Sequence, residues 1–131
     1  MSISLLLAQV STALLLALHG GESDFKHRPK PGDGGKALGA LQIHDIAIRD
    51  VNRVYGSSYS HADALDRDKA YTICKLYLTH WGKYYTRKTG KPPTPEVYAR
   101  IWNGGPTGWK KPSTVKYWRK RVKPYFDNNG R

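Results

Sequence analysis

The sequence predicts a mainly helical α+β fold: about five helices around a central buried N-terminal helix, with one small β hairpin. Three observations carry that expectation. An apolar run from Ile3 to His19 has the length and composition of a core helix. A second stretch, Asp63 to Arg87, repeats apolar residues at three and four positions through Ala70, Ile73, Cys74, Tyr77, Leu78 and Trp81. Between them, Gly32-Asp33-Gly34-Gly35 reads as a tight turn before a short extended segment. The 131 residues fit a single domain, residues 1–131, large enough to bury a core without disulfides or metal.

Taken in order, helix one should stop at Gly20-Gly21, a breaker pair that would set Glu22 at the surface just past the helix. At the edge of a core, that carboxyl would titrate high, as a general acid requires. The stretch Asp24 to Pro31 is a basic loop broken by Pro29 and Pro31. Lys36 to Ile43 follows as a strand or hairpin arm, in which Gly39 permits close approach of another backbone or a ligand. Ile46, Ile48, Val51, Val54 and Tyr55 mark a short helix from about Asp45, closed by Gly56. A polar loop, Ser57 to Ala62, leads into the long helix. Thr94, Pro95 and Glu96 spell a helix start, and Asn103-Gly104-Gly105-Pro106 its end. The last helix runs from Thr114 to Val122 and stops at Pro124.

With 22 Lys and Arg against 10 Asp and Glu, the net charge is +12, which favours an anionic polymer as partner: nucleic acid, membrane or cell wall. The single cysteine, Cys74, excludes an intrachain disulfide and a multi-cysteine zinc site, and its place on an apolar helix face makes it a small hydrophobe. The N-terminal run lacks a preceding Lys or Arg and a small-x-small cleavage pattern, so it reads as a core helix ahead of a signal or anchor. A zinc peptidase would need more than His61 and Asp63, since no second histidine stands at a recognised spacing and His80 belongs to a packed helix.

On residues alone, Glu22 fits either a solvated helix end or an acid, and Asp33 fits an ordinary Asp-Gly turn. A resemblance narrows this. Glu22-Ser23, then Gly32-Asp33-Gly34-Gly35-Lys36-Ala37-Leu38-Gly39-Ala40-Leu41-Gln42-Ile43, resembles the active-site segment shared by goose-type lysozymes, soluble lytic transglycosylases and invertebrate-type (destabilase) lysozymes. Tyr98 to Gly108, containing Trp102-Asn103-Gly104-Gly105-Pro106, with Thr114 and Tyr117-Trp118 after it, is similar to the C-terminal signature of the invertebrate type. Invertebrate-type members are usually rich in disulfides, so a chain with one cysteine is expected to have bacterial or phage relatives.

The resemblance implies a lysozyme-like fold and a peptidoglycan-cleaving muramidase that needs no cofactor and no metal. By it, Glu22 is the general acid and Asp33 the second carboxylate, while Gln42, His44, Asp45, Tyr98 and Asn103 are substrate contacts. A lytic transglycosylase is the alternative, since that chemistry needs only the glutamate. Carboxyls about 5–5.5 Å apart favour a retaining route, and roughly 6.5–9.5 Å an inverting one. The expected partners are the glycan strands of peptidoglycan and, through the seven Lys and Arg between Lys110 and Lys123, the anionic cell envelope. The expected place of action is the periplasm or cell wall, and the expected state is monomeric. A basic nucleic-acid-binding module, the second alternative, shares the alternation of basic and aromatic residues but gives the Gly-Asp-Gly-Gly turn no purpose.

Overall fold

A computed structural model describes residues 9–26 and 28–128. The described residues form five helical runs, joined by loops and short 3-10 turns, in a mainly helical fold. The first run, α1 (Thr12–Ser23), begins at Ser11, whose hydroxyl accepts from the Leu14 N–H at 3.1 Å. Leu14, Leu15, Ala17 and Leu18 are all buried, so α1 is a core helix. The Ile3 to Gln9 part of the predicted helix lies outside or at the edge of the described residues.

Gly20-Gly21 does not break α1; both glycines are buried inside it. A Cβ on Gly20 would stand 2.7 Å from the Tyr125 ring, and one on Gly21 2.5 Å from the Arg121 carbonyl oxygen. The glycines therefore let another helix approach, and α1 ends later, at Asp24 (φ 53°), whose N–H reaches the Gly20 carbonyl at 2.9 Å. Glu22 consequently sits in the last helical turn instead of beyond it.

The expected hairpin arm is reduced to two isolated antiparallel bridges, Gly32 with Ala37 and Leu38 with Ile43, each closing a tight turn. The pleat fails because Gly39 (φ 78°) and Gln42 (φ 51°) both adopt left-handed backbone. At Gly39 the close approach is to backbone, since a Cβ there would lie 1.8 Å from the Ala64 carbonyl oxygen.

The second helix, α2 (Asp45–Tyr55), closes at Gly56 as the pattern requires and buries Ile48 and Val51. Ile46, counted with them in the sequence, is 77% exposed. The long helix α3 (Arg67–Thr89) starts later than Asp63, because Asp63 caps the preceding 3-10 turn, His61–Leu65, by accepting from the Ser60 N–H at 2.8 Å. Asp66 then caps α3 through the Lys69 N–H at 2.9 Å. Helix α4 (Pro95–Gly104) starts on Thr94 as read from the sequence.

The fifth run, α5, does not stop at Pro124. It comprises Ser113–Tyr117, a π-helical turn Trp118–Val122, and Lys123–Asp127. Proline has no N–H to offer the carbonyl four residues back and crowds it, and the wider π turn just before it accommodates both defects. Helix α1 packs against α3, α4 and both later parts of α5, so the last turn of α1 meets the C-terminal helix directly.

Candidate active site

Glu22 hangs from the last turn of α1 into a cavity of about 230 Å³ lined also by Asp33, Ala37, Gln42, His44, Trp102 and Asn103. The wall opposite the turns comes from the end of α4. Trp102 is braced edge-on by Tyr77 of α3, with ring centroids 5.5 Å apart. The loop after α4 is pinned by Thr114, whose hydroxyl donates to the Gly108 carbonyl at 2.7 Å and accepts from Arg100 Nε at 2.8 Å. Asn103, next to Trp102, is exposed to solvent at the cavity.

The near wall is built by the two tight turns. Gln42 Nε2 donates to the Gly39 carbonyl at 3.0 Å, and the side-chain oxygen of Gln42 occupies the space that a Cβ on Gly32 would fill. His61 Nε2 donates to the Ile43 carbonyl at 2.7 Å, which ties the same segment to the loop before α3. Ser23, beside Glu22, is buried and donates to the Ala40 carbonyl at 2.8 Å, joining α1 to the turns. His19 one turn earlier is buried as well. Its Nε2 donates to the Lys26 carbonyl at 2.8 Å, which can only accept, and Nδ1 faces the Tyr71 hydroxyl at 2.8 Å.

The two carboxylates differ sharply in setting. Burial drives the Glu22 carboxyl up to about 7, against an ordinary 4.5, although the Tyr117 hydroxyl and the Arg121 charge both pull it down. The Tyr117 hydroxyl donates to Glu22 Oε2, and among the described residues that is the one hydrogen bond this carboxyl makes. Burial, and then the Glu22 charge, push the Tyr117 phenol well above its usual range, so it stays a donor. Asp33, by contrast, has a 70% exposed side chain whose Oδ2 lies 3.3 Å from His44 Nε2. It occupies left-handed backbone (φ 51°) in the 3-10 turn Asp33–Gly35.

Of the residues singled out from sequence, Glu22, Asp33, Gln42, His44 and Asn103 come together around this cavity. Two stand elsewhere. Asp45 opens α2 and pairs with Arg49 at 2.8 Å. Tyr98 is buried in the core, 5% exposed, and borders a separate cavity of about 610 Å³ alongside Gly82 and Pro93. Its helix turns it inward toward α3, where a Cβ on Gly82 would come within 2.7 Å of its ring. Cys74 is fully buried with its thiol pushed well upward by that burial, as befits a small hydrophobe. Trp102 and Tyr117 are the participants that the sequence did not assign. Trp102 adjoins Asn103 in the same string, a signal that was available; Tyr117 meets Glu22 across 95 residues, which no spacing announces.

A carboxyl raised by burial to about 7, in a cleft walled by an indole, two amides and a second carboxylate, is able to give up or take a proton near neutral pH. No family model matches the chain. It is 44% identical over 50 residues to a lysozyme of Magallana gigas, covering 38% of this chain and 36% of that protein. A lysozyme of Ostrea edulis is 41% identical over 86 residues, 64% of this chain and 58% of the relative. The chain thus spans between about a third and three fifths of the length of these two. A lysozyme of Meretrix lusoria is 34% identical over 90 residues, covering 69% of each protein. With the mainly helical fold and these bivalve relatives in agreement, the chain belongs to the lysozyme family, with an invertebrate-type relationship.

Proposed function

We propose that this chain is a glycosidase of the lysozyme type that hydrolyses the β-1,4 bond between N-acetylmuramic acid and N-acetylglucosamine in peptidoglycan. The observation that carries the reading is the Glu22 carboxyl, raised by burial to about 7 in a cleft that can accept a saccharide. At neutral pH a large fraction of it holds a proton. That proton passes to the glycosidic oxygen as the C1–O bond breaks, leaving Glu22 as carboxylate and positive charge on the sugar. Asp33, across the cavity, supplies negative charge toward that cation, and a water adds its oxygen to C1 while its proton goes to the Glu22 carboxylate, restoring the acid. Trp102 offers an apolar face to a pyranose ring, and Gln42, His44 and Asn103 offer polar groups to its substituents.

A specific observation supports a second reading. Asp33 is largely exposed and already engaged with His44, a weak setting for a nucleophile or a strong electrostatic partner. A lytic transglycosylase needs only Glu22, as acid and then as base, while a hydroxyl of the substrate attacks. Mass spectrometry of the released muropeptides separates the two: reducing ends support hydrolysis, and 1,6-anhydro ends replace it with transglycosylation. Replacement of Glu22 by Gln tests both, because wall clearing that survived it would remove the assignment altogether.

The same reading places the protein at the cell wall or in the periplasm. Attachment to an anionic envelope is proposed for the exposed Lys116, Arg119 and Lys120 of α5, which make no ion pair among the described residues. Wall binding that ignored added salt would exclude that attachment.

A further inference from the structure

Two side chains of α5 converge on consecutive residues of α1. Tyr117 donates its hydroxyl to Glu22, and Arg121 donates from Nε and Nη2 to the Gly21 carbonyl at 3.1 and 2.7 Å. The π-helical turn Trp118–Val122 begins between them and contains Arg121. A π turn takes up an extra residue per turn relative to an α-helix, so it shifts the side chains after it around the axis. The bare Gly21 lets this turn settle against α1, since a Cβ would meet the Arg121 backbone at 2.5 Å.

We infer that Tyr117, backed by Arg121, is a positioning residue for the acid, holding the Glu22 carboxyl in place and stabilising the carboxylate that remains once its proton has left. The inference rests on the reading of Glu22 as general acid. Neither Tyr117 nor Arg121 lines the cavity, so both act through Glu22 and not on substrate. A carboxyl buried without them would keep its proton more strongly and release it more slowly. Burial raises the proton affinity of Glu22, and these two groups oppose burial, which leaves a proton that is both present and transferable near neutral pH. The other groups facing the acid do not take over this task. From α3 comes the buried Cys74 thiol, uncharged; from α4 come Trp102 and Asn103, uncharged; across the cavity stand Asp33 and His44, paired with each other.

The test compares Tyr117→Phe, Arg121→Met and Glu22→Gln with the unsubstituted chain. In Tyr117→Phe, kcat on soluble glycan strands should fall roughly tenfold at neutral pH with KM unchanged, and the alkaline limb of the rate profile should move upward by about one pH unit. A second measurement does not depend on turnover. The chain has only two glutamates, Glu22 and Glu96, so carbon-13 labelling of glutamate yields two side-chain carboxyl titrations. The Glu22 titration should move upward in both Tyr117→Phe and Arg121→Met, while that of Glu96 should stay fixed. Unmoved Glu22 titrations in both variants, or a KM increase with an unchanged pH profile in Tyr117→Phe, would overturn the inference. Wall clearing by Glu22→Gln would instead overturn the reading of the acid, whatever the titrations show.

Discussion

Glu22 and Asp33 border the same cavity with the same functional group and have almost nothing else in common. One is fixed in the last turn of a core helix, hydrogen-bonded by a half-buried tyrosine packed against the core, and raised to about 7. The other projects 70% exposed from a glycine turn beside a histidine. Environment, not residue type, separates them: burial raises the first toward neutrality, and solvent surrounds the second. The difference also predicts that substitution at the two positions has unequal consequences.

The largest effect belongs to Glu22→Gln, which removes the transferable proton but keeps the shape of the side chain. Wall clearing should fall on the order of 10³-fold, measured as turbidity loss of a cell-wall suspension. The same variant should gain stability at alkaline pH. The folded-state value of Glu22 is raised above its ordinary 4.5, so the folded chain retains a proton that the unfolded chain releases. The associated stability is fully present below about pH 4.5 and is lost as pH rises through about 7, an effect of about 3 kcal/mol. Denaturant unfolding of the unsubstituted chain and of Glu22→Gln, at pH 4 and pH 8, should show that decline in the former and its absence in the latter. Parallel pH dependences would mean that Glu22 is solvated, and the contrast with Asp33 would disappear.

The same contrast explains what could be read in the sequence. The caps and breakers of α2 and α4 were legible because their signals are local: Gly56 after Tyr55, and Thr94-Pro95-Glu96 ahead of Val97. Glu22 and Asp33 were picked out by motif, and the cavity gathers both. The Gly20-Gly21 pair misled, because glycine in a helix looks the same in sequence whether it ends the helix or admits a neighbour. Here the neighbour is α5, a hundred residues away, whose Arg121 and Tyr125 fill the space. The hairpin arm is shorter than expected for a related reason: Gln42 adopts positive φ, which the residue type does not reveal. The continuation of α5 past Pro124 depends on a π turn, a tertiary accommodation with no residue code. Long-range packing thus decided each feature that local pattern missed, including the partner of the acid itself.

A smaller effect, and a sharper test of the contrast, is expected at Asp33. Asp33→Asn removes a charge that solvent already screens, so its rate loss should be about tenfold, well short of that at Glu22. Steady-state rates on the same wall suspension measure it. An unchanged rate would assign the whole reaction to the glutamate and turn the balance toward transglycosylation. A loss equal to that of Glu22→Gln would show that exposure in the free protein does not describe Asp33 once substrate covers it.

The smallest effect is expected at His44. Its Nε2 lies 3.3 Å from Asp33 Oδ2, with the two side chains 42% and 70% exposed, and a polar contact so open to solvent contributes little. His44→Ala should change the rate by about twofold or less at low ionic strength, and the difference should shrink further as salt is added. Rates of both proteins across a salt series measure it. If His44→Ala instead matched Asp33→Asn and resisted salt, the histidine would be holding Asp33 in a defined position. The second carboxylate would then be as deliberately placed as the first, by a histidine at the surface in place of a half-buried tyrosine.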